Sequence, residues 1–171
     1  MGFFDIFTGR KAPPAGTPQA DAAELRAAFL ALNRSTAPFE VREGGPEGAD
    51  LVAEWRIVDA RWYEIFAKAG LKKGAQVLLR LDAATGEVRN VQRDFSVEWR
   101  AGVPAMNFSA EAFRGQKVEM SFGTAFAFRE EDLRFGKVYE YRFRTSELKD
   151  PLREVAAIHG WTWRPVAFGR L

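Results

Sequence analysis

The sequence predicts an α+β fold, with a single domain built on a mainly antiparallel sheet that is strongly bent or barrel-like. Apolar and polar residues alternate over several segments, which is the period of half-buried strands. Between these segments, apolar residues recur at helical spacing after residues that cap helices well. A third observation is the tripeptide Glu-aromatic-Arg, which occurs at 54–56, at 98–100 and at 140–142. Together these observations predict an N-terminal helix, a sheet and two short capped helices.

The N-terminal helix is predicted to begin at Thr17, which is a suitable N-cap, with Pro18 in the first helical position. The segment RKAPPAGT at 10–17 is expected to be a linker, because two prolines and a glycine oppose regular structure there. The apolar stripe of the helix consists of Leu25, Ala28, Phe29 and Leu32. We therefore expect an apolar tail with its linker at 1–17 and one α+β domain at 18–171.

Two further helices are predicted to follow strands. Asp59 and Gly70 mark the cap and the end of the first, and Asp150-Pro151 and Gly160 mark those of the second. The repeated order of strand, cap, helix and stop is also compatible with a weak internal duplication of a β-α-β unit. A parallel crossover within each half is therefore the alternative to an antiparallel arrangement.

Strand-like alternation covers the segments 39–42, 51–58, 75–81, 87–100, 118–128, 139–144 and 161–166. The segment 105–113 fits either a strand or a single helical turn. One face of the 118–128 strand carries only small side chains, at Ser121, Gly123, Ala125 and Ala127. Because such a face allows a helix to approach closely, the sequence is compatible with a barrel closed around a helix.

The Glu-aromatic-Arg tripeptides are explained by strands that have one dry and one wet face. Neighbouring residues of a strand point to opposite faces, so Trp55, Trp99 and Tyr141 are predicted to enter the core. The flanking acids and bases then pair across neighbouring strands, at about 0.2–1 kcal/mol for each pair. The same geometry makes nucleic acid an unlikely partner, because it separates the rings from the guanidinium groups that a stacking site would combine.

Composition excludes several classes of site. The chain of 171 residues has no Cys and one His, so it cannot form disulfides, Cys-ligated metal clusters or a His-rich metal site. Its formal net charge of +2 provides no general attraction to polyanions. No segment approaches the roughly 18 apolar residues of a membrane span, and the N-terminus lacks the pattern of a secretory signal. A cytoplasmic location is the resulting expectation.

Common catalytic and cofactor motifs are missing from the sequence. The Gly-rich segment 44–48 lacks the Gly-Lys-Ser/Thr ending of a phosphate loop, and no nucleophile elbow occurs. His159 is predicted at the C-terminal end of the last helix, where a protonated imidazole interacts favourably with the helix dipole. We therefore expect no cofactor and no metal ion, and we favour a protein that is not an enzyme.

The N-terminal tail is the most unusual apolar segment. Phe3, Phe4, Ile6 and Phe7 lie close together ahead of the proline-containing linker. The tail either folds back onto its own domain or binds a protein partner or a second copy of the chain. A weak contact with a membrane surface is left open, because the basic pair Arg10-Lys11 follows the tail.

The leading hypothesis for function is a non-enzymatic binding or scaffold module that recognises a protein or a small apolar ligand. The candidate contacts are the four apolar tail residues together with Trp62, Trp99, Trp161 and Trp163. The alternative is an enzyme that uses a carboxylate with Arg or Tyr side chains in an aromatic cavity.

Overall fold

The part of the chain that the structure describes has an α+β fold, with two helices and a mixed, mostly antiparallel sheet of six strands. A computed structural model describes residues 9–34, 37–57, 73–101, 103–108, 120–122, 126–128, 135–137, 142–166 and 171. The predicted fold class and the mainly antiparallel pairing are confirmed. The predicted strong bend or barrel is wrong, because the sheet is neither closed nor strongly curled.

The elements follow one another along the chain with these bounds: α1 Ala22–Leu30, β1 Phe39–Glu43, a 3₁₀ turn Gly45–Glu47, β2 Leu51–Trp55, β3 Lys73–Asp82, β4 Glu87–Arg100, β5 Val103–Phe108, β6 Met120–Phe122, β7 Phe126–Phe128, β8 Phe135–Lys137, β9 Arg142–Arg144, α2 Thr145–Ile158 and β10 Thr162–Pro165. The long return strand predicted at 87–100 has the bounds of β4. The ambiguous segment 105–113 contributes to β5 as far as Phe108.

The main sheet has the strand order β1-β2-β3-β4-β10, with β5 also paired to β4. Strand β4 is long enough to serve two neighbours on one side: its first part pairs in parallel with β10, and its last part pairs antiparallel with β5. Strands β6 and β7 belong to two separate two-stranded sheets, β6-β9 and β7-β8. Of the predicted small-residue face, Ser121 in β6 and Ala127 in β7 therefore lie outside the main sheet, and Gly123 and Ala125 lie outside the described residues. The main sheet is not closed around a helix.

The predicted β-α-β duplication has partial counterparts in the structure. The second unit exists as β9, α2 and β10, but β9 pairs with β6 whereas β10 pairs with β4, so the unit does not form one sheet. The helix of the first unit, at 59–70, lies outside the described residues. The one parallel pair of the main sheet, β4 with β10, joins distant parts of the chain.

Both helices cover the same face of the main sheet. Leu25 and Phe29 of α1 and Leu148 and Leu152 of α2 belong to one core cluster. The strand residues of this cluster include Leu51, Val77, Leu79, Val88 and Trp163. We call the opposite surface of the sheet the outer face. Trp55 is 5% exposed and belongs to the core as predicted, and Tyr141 lies outside the described residues.

Helix α1 begins later than predicted. Its N-cap is Asp21, whose carboxylate accepts a hydrogen bond from the Glu24 amide at 2.7 Å. The predicted cap, Thr17, instead closes a turn with Pro14. Tertiary contact explains the shift, because Ala20 bonds the chain near the end of α2: its amide donates to the His159 carbonyl at 2.9 Å. Residues committed to that contact do not enter the helix.

Replacing Asp21 tests this corrected helix start. Asp21→Ala is expected to lower the free energy of unfolding by about 1 kcal/mol, since the first turn loses a side-chain cap. The matched control is Thr17→Ala, for which we expect a change within about 0.5 kcal/mol. Both are measured by urea denaturation. A larger loss for Thr17→Ala than for Asp21→Ala would restore the original prediction.

Helix α2 begins earlier than the predicted cap at Asp150. It starts at Thr145, which directly follows β9, and it contains Pro151 in its interior. The fully buried side chain of Leu148 anchors this first turn in the core, so packing outweighs the local signal of Asp150-Pro151. The predicted end of the helix at Gly160 is confirmed, because Gly160 has a positive φ of 76° and bonds back to Ala157.

The edge of β1 is covered by a side chain. The Asn33 amide donates to the Val41 carbonyl at 2.7 Å and accepts from the Val41 amide at 2.7 Å. These are the two bonds that a further strand would make at this position. Unpaired strand edges promote association with other chains. By occupying both backbone groups of Val41, Asn33 prevents a further strand from pairing with β1 at this position.

Candidate functional site

Four arginine side chains form a line across the main sheet. Arg80 of β3 lies directly opposite Arg89 of β4, and Arg89 lies beside Arg164 of β10. Lys11 pairs antiparallel with Trp163, which places Arg10 next to Arg164. We call Arg80, Arg89, Arg164 and Arg10 the arginine row.

The arginine row lies on the outer face. Trp163 and Val88, which precede Arg164 and Arg89 in the chain, are fully buried in the core cluster beneath the helices. Since successive residues of a strand point to opposite sides, the arginines that follow them point away from the helices. Arg80 and Arg89 are half-buried, whereas Arg164 and Arg10 are exposed.

One buried carboxylate pairs with Arg164 and Arg10, the two arginines at one end of the row. Glu87 is only 7% exposed, and its Oε2 accepts from Arg164 Nη1 at 2.7 Å. Its Oε1 lies 3.6 Å from Arg10 Nη2. A single negative charge is therefore shared between two guanidinium groups at this end of the row.

Arg80 and Arg89, at the other end of the row, have no such carboxylate partner in the described residues. Arg80 donates through Nη2 to the neutral carbonyl of Gly48, and its Nε is buried without a hydrogen-bond partner. Arg89 makes no hydrogen bond or ion pair in the described part of the chain, and its Nε is also buried without a partner. Two further carboxylates near this part of the sheet accept hydrogen bonds from backbone amides: Asp50 accepts from Leu81, and Asp82 accepts from the turn at 84–85.

This arrangement costs stability in the isolated protein. Like charges directly opposite each other on neighbouring strands are destabilising, by roughly 0.2–1 kcal/mol for a pair. A buried donor that lacks an acceptor costs about 1–3 kcal/mol more. Arg89 carries both penalties, since it has an arginine on each side and an unsatisfied Nε. An oxyanion bound over Arg89 would offset the repulsion between the neighbouring arginines.

Arg42, on β1 and outside the row, is an arginine whose guanidinium group is paired with acidic side chains. Arg42 donates from Nε to Glu54 at 2.7 Å and from Nη2 to Glu47 at 2.5 Å. These bonds raise the pKa of the Arg42 guanidinium, and the bond to Arg42 holds the pKa of Glu47 below its ordinary value. Gln76 also donates to Glu54. Glu54 thus pairs across neighbouring strands, but with Arg42 and not with an arginine of the tripeptides. Glu98 instead accepts from Arg100 of its own strand at 3.0 Å, so the predicted cross-strand pairing of the tripeptides is met only in part.

A polar cluster lies where α2 packs on the sheet. Burial lowers the pKa of Lys149 to about 8, and the nearby Asp94 carboxylate opposes that shift. Gln92 donates to Asp94 Oδ1 at 2.7 Å, while its own buried Oε1 has no partner in the described residues. The cluster thus combines a weakly basic amine with a carboxylate. It differs from the predicted enzyme alternative, which places a carboxylate with Arg or Tyr side chains in an aromatic cavity.

The structure describes three of the predicted contact residues, and all three belong to the core cluster or pack against it. Trp161 and Trp163 are 0% and 1% exposed and belong to the core, whereas Trp99 is half-buried in the β4-β5 hairpin opposite Pro104. The remaining candidates lie outside the described residues: Phe3, Phe4, Ile6, Phe7 and Trp62.

His159 lies at the end of α2 as predicted. It follows the last helical residue, Ile158, and its Nδ1 donates to the Val155 carbonyl at 2.8 Å. The ring thereby satisfies one of the carbonyls that a helix end leaves unpaired. This is a structural role, in agreement with the sequence analysis.

The described residues contain no group of three acidic or His side chains that could hold a metal ion. Nor do they include a helix with the length and hydropathy needed to cross a membrane.

No protein-family model matches the chain, and no curated protein or solved structure shows significant similarity to it. Its function is therefore inferred from its own geometry.

Proposed function

We propose that this protein is a non-enzymatic binding or scaffold module that recognises an acidic partner protein through the arginine row. The observation that supports the proposal is Arg89: a guanidinium placed between two others, with a buried donor that no described group satisfies. Such an arrangement is costly in the free protein and becomes favourable when a partner supplies negative charge.

A protein is the better supported of the two ligand classes expected from the sequence. Arginine is enriched in protein–protein interfaces, where its guanidinium pairs with carboxylates. The rings of Trp161 and Trp163, in contrast, are already covered by the core, so they offer little surface to a small apolar ligand. Complementary charge would also speed the encounter with an acidic partner.

For the enzyme alternative, the structure offers the Asp94 carboxylate beside Lys149, in place of the Arg or Tyr expected from the sequence. An amine with a pKa of about 8 is partly deprotonated near neutral pH and can act as a base or a nucleophile. The binding function does not need this amine. Lys149→Met is therefore expected to leave affinity for an acidic partner unchanged, and it serves as a control in the experiment below.

The proposal is tested with a synthetic glutamate-rich peptide as the probe. Fluorescence anisotropy compares the wild type with Arg80→Gln/Arg89→Gln, which removes two members of the row. We expect the affinity to fall about tenfold or more, as it does when a charge-assisted hydrogen bond is lost. The dissociation constant should also rise steeply with salt concentration, because the contact is between opposite charges.

The matched control is Arg34→Gln/Arg100→Gln. It removes the same net charge from two exposed arginines outside the row, and we expect less than a twofold change in affinity. An equal loss in both double variants would show that only net charge matters. That result would contradict the proposed role of the arginine row.

A further inference from the structure

We infer that the arginine row binds a phosphoryl group, with Arg89 as its central ligand and Arg80 and Arg164 on either side. This inference rests on the proposed function, and it specifies the chemistry that the row recognises on its partner: a phosphorylated side chain.

The spacing of the row suits a group with three acceptor oxygens. Neighbouring strands lie about 4.8 Å apart, so the Cα atoms of Arg80, Arg89 and Arg164 span about 10 Å of sheet. In the free protein Arg80 bonds Gly48 and Arg164 bonds Glu87, but both side chains are long enough to turn toward a ligand over Arg89. A phosphoryl group offers three strong acceptor oxygens to such donors, whereas a carboxylate offers two.

The charges of the row also favour a dianion. Arg10 and Arg164 share Glu87, while Arg80 is bonded to a neutral carbonyl and Arg89 has no described acceptor. Because Asp82 lies directly opposite Glu87 at the same end of the row, four positive charges face two negative charges. A phosphate monoester carries about −1.5 to −2 at neutral pH, which compensates this excess of about two, whereas one carboxylate leaves about one positive charge uncompensated.

The surroundings of the row limit the ligand to a single phosphoryl group. On one side lie the acidic residues Asp82 and Glu87, which are directly opposite each other. On the other side lie Leu78 and Val91, which are also directly opposite each other and buried. A nucleic acid strand needs a basic groove that continues along its backbone, and this row is one arginine wide. A monoester fits it, whereas a chain of diesters would meet the acidic pair.

Two peptides that differ at one position test the inference: a peptide with one phosphoserine and the same peptide with Glu at that position. Isothermal titration with the wild type is expected to give an affinity at least about tenfold higher for the phosphoserine peptide. Arg89→Lys keeps the charge but loses the planar fork, so it should abolish most of this preference. Arg100→Gln, outside the row, should retain it.

Inorganic phosphate provides a second readout that needs no peptide. At constant ionic strength, phosphate should raise the melting temperature of the wild type above that in chloride, because a ligand that binds only the folded state stabilises it. The increase should be absent in Arg89→Gln. This variant is expected to fold with a melting temperature at or above that of the wild type, since it removes repulsion within the row, so its loss of response cannot be attributed to unfolding.

The possible outcomes separate the inference from the proposed function. Equal affinity for the phosphoserine and Glu peptides would overturn the phosphoryl inference and leave the acidic-partner proposal standing. Failure of both peptides and of the glutamate-rich probe to bind would overturn both. Preferential binding of a single-stranded oligonucleotide over the phosphoserine peptide would overturn the inference in favour of a nucleic acid ligand.

Discussion

Trp161→Ala is expected to lower the free energy of unfolding by about 3–5 kcal/mol, the range for truncating a large buried aromatic side chain. Trp161 is 0% exposed and is among the largest fully buried side chains described. Its indole Nε1 also donates to the Ala20 carbonyl at 2.8 Å. The substitution therefore leaves both a cavity and an unsatisfied carbonyl, and guanidinium chloride denaturation measures the sum of the two.

Trp161→Phe separates these two contributions. Phenylalanine retains most of the apolar burial but cannot donate to Ala20, so the expected loss is about 1–3 kcal/mol, which is the cost of one unsatisfied buried acceptor. Alanine should therefore be clearly more destabilising than phenylalanine. A loss below about 1 kcal/mol for Trp161→Ala would show that this indole is not part of the core, and it would return Trp161 to the ligand-binding candidates.

Strands were the best predicted part of the fold, because their signals are local. The alternation over 87–100 is visible in adjacent residues, and β4 has the predicted bounds. Trp55 entered the core for the same reason. Helix starts were predicted less well, because tertiary contacts outweighed local capping signals: Ala20 is bound to His159, and Leu148 is buried in the core.

The arginine row was not predictable from the sequence. Arg80, Arg89 and Arg164 belong to three strands, and the last is far from the others in the chain. They become neighbours only through the β3-β4 and β4-β10 registers. A shift of either register by one residue would put an apolar residue beside Arg89. Alternation predicts which face a residue takes, but it does not predict which residue of another strand lies next to it.

That the sheet is open was not predictable from the sequence either, because it also depends on how distant parts of the chain meet. The sequence shows that many segments are strand-like, but closure depends on whether the first and last strands meet. Here Asn33 occupies the hydrogen-bonding edge of β1, while Lys11 pairs with Trp163 beyond β10. Each edge is thus covered by a contact of only one residue, and the second of these contacts joins distant parts of the chain. Neither contact has a sequence signature that distinguishes it from a loop.

The contact between the segment at 18–20 and the end of α2 joins the two ends of the domain. The Ala20 amide bonds the His159 carbonyl, and the Trp161 indole bonds the Ala20 carbonyl. Gly160 lies between His159 and Trp161 in the chain, with its α-carbon facing Pro18. The close approach of Pro18 therefore requires a residue without a side chain at 160. Gly160 both ends α2 and allows this long-range contact to form.

Gly160→Ala is accordingly expected to destabilise the protein by about 2 kcal/mol or more. A left-handed backbone conformation costs about 1–2 kcal/mol for a residue with a Cβ, and Gly160 has φ 76°. In addition, the new Cβ would lie 2.6 Å from the Pro18 carbonyl carbon and 2.8 Å from Gln19 Cα. Because these atoms belong to the backbone, they cannot move aside as a flexible side chain would, and the bonds of Ala20 would be strained.

Gly16→Ala is the matched control for this substitution. Gly16 has φ 81°, and a Cβ added there would meet no atom within 4 Å. It should therefore lose only the conformational cost of about 1–2 kcal/mol, and the difference between the two variants measures the steric contribution of the contact with Pro18. Thermal and urea denaturation of both variants give this difference. Equal losses would show that Gly160 is required for its backbone conformation alone and that the segment at 18–20 yields without cost.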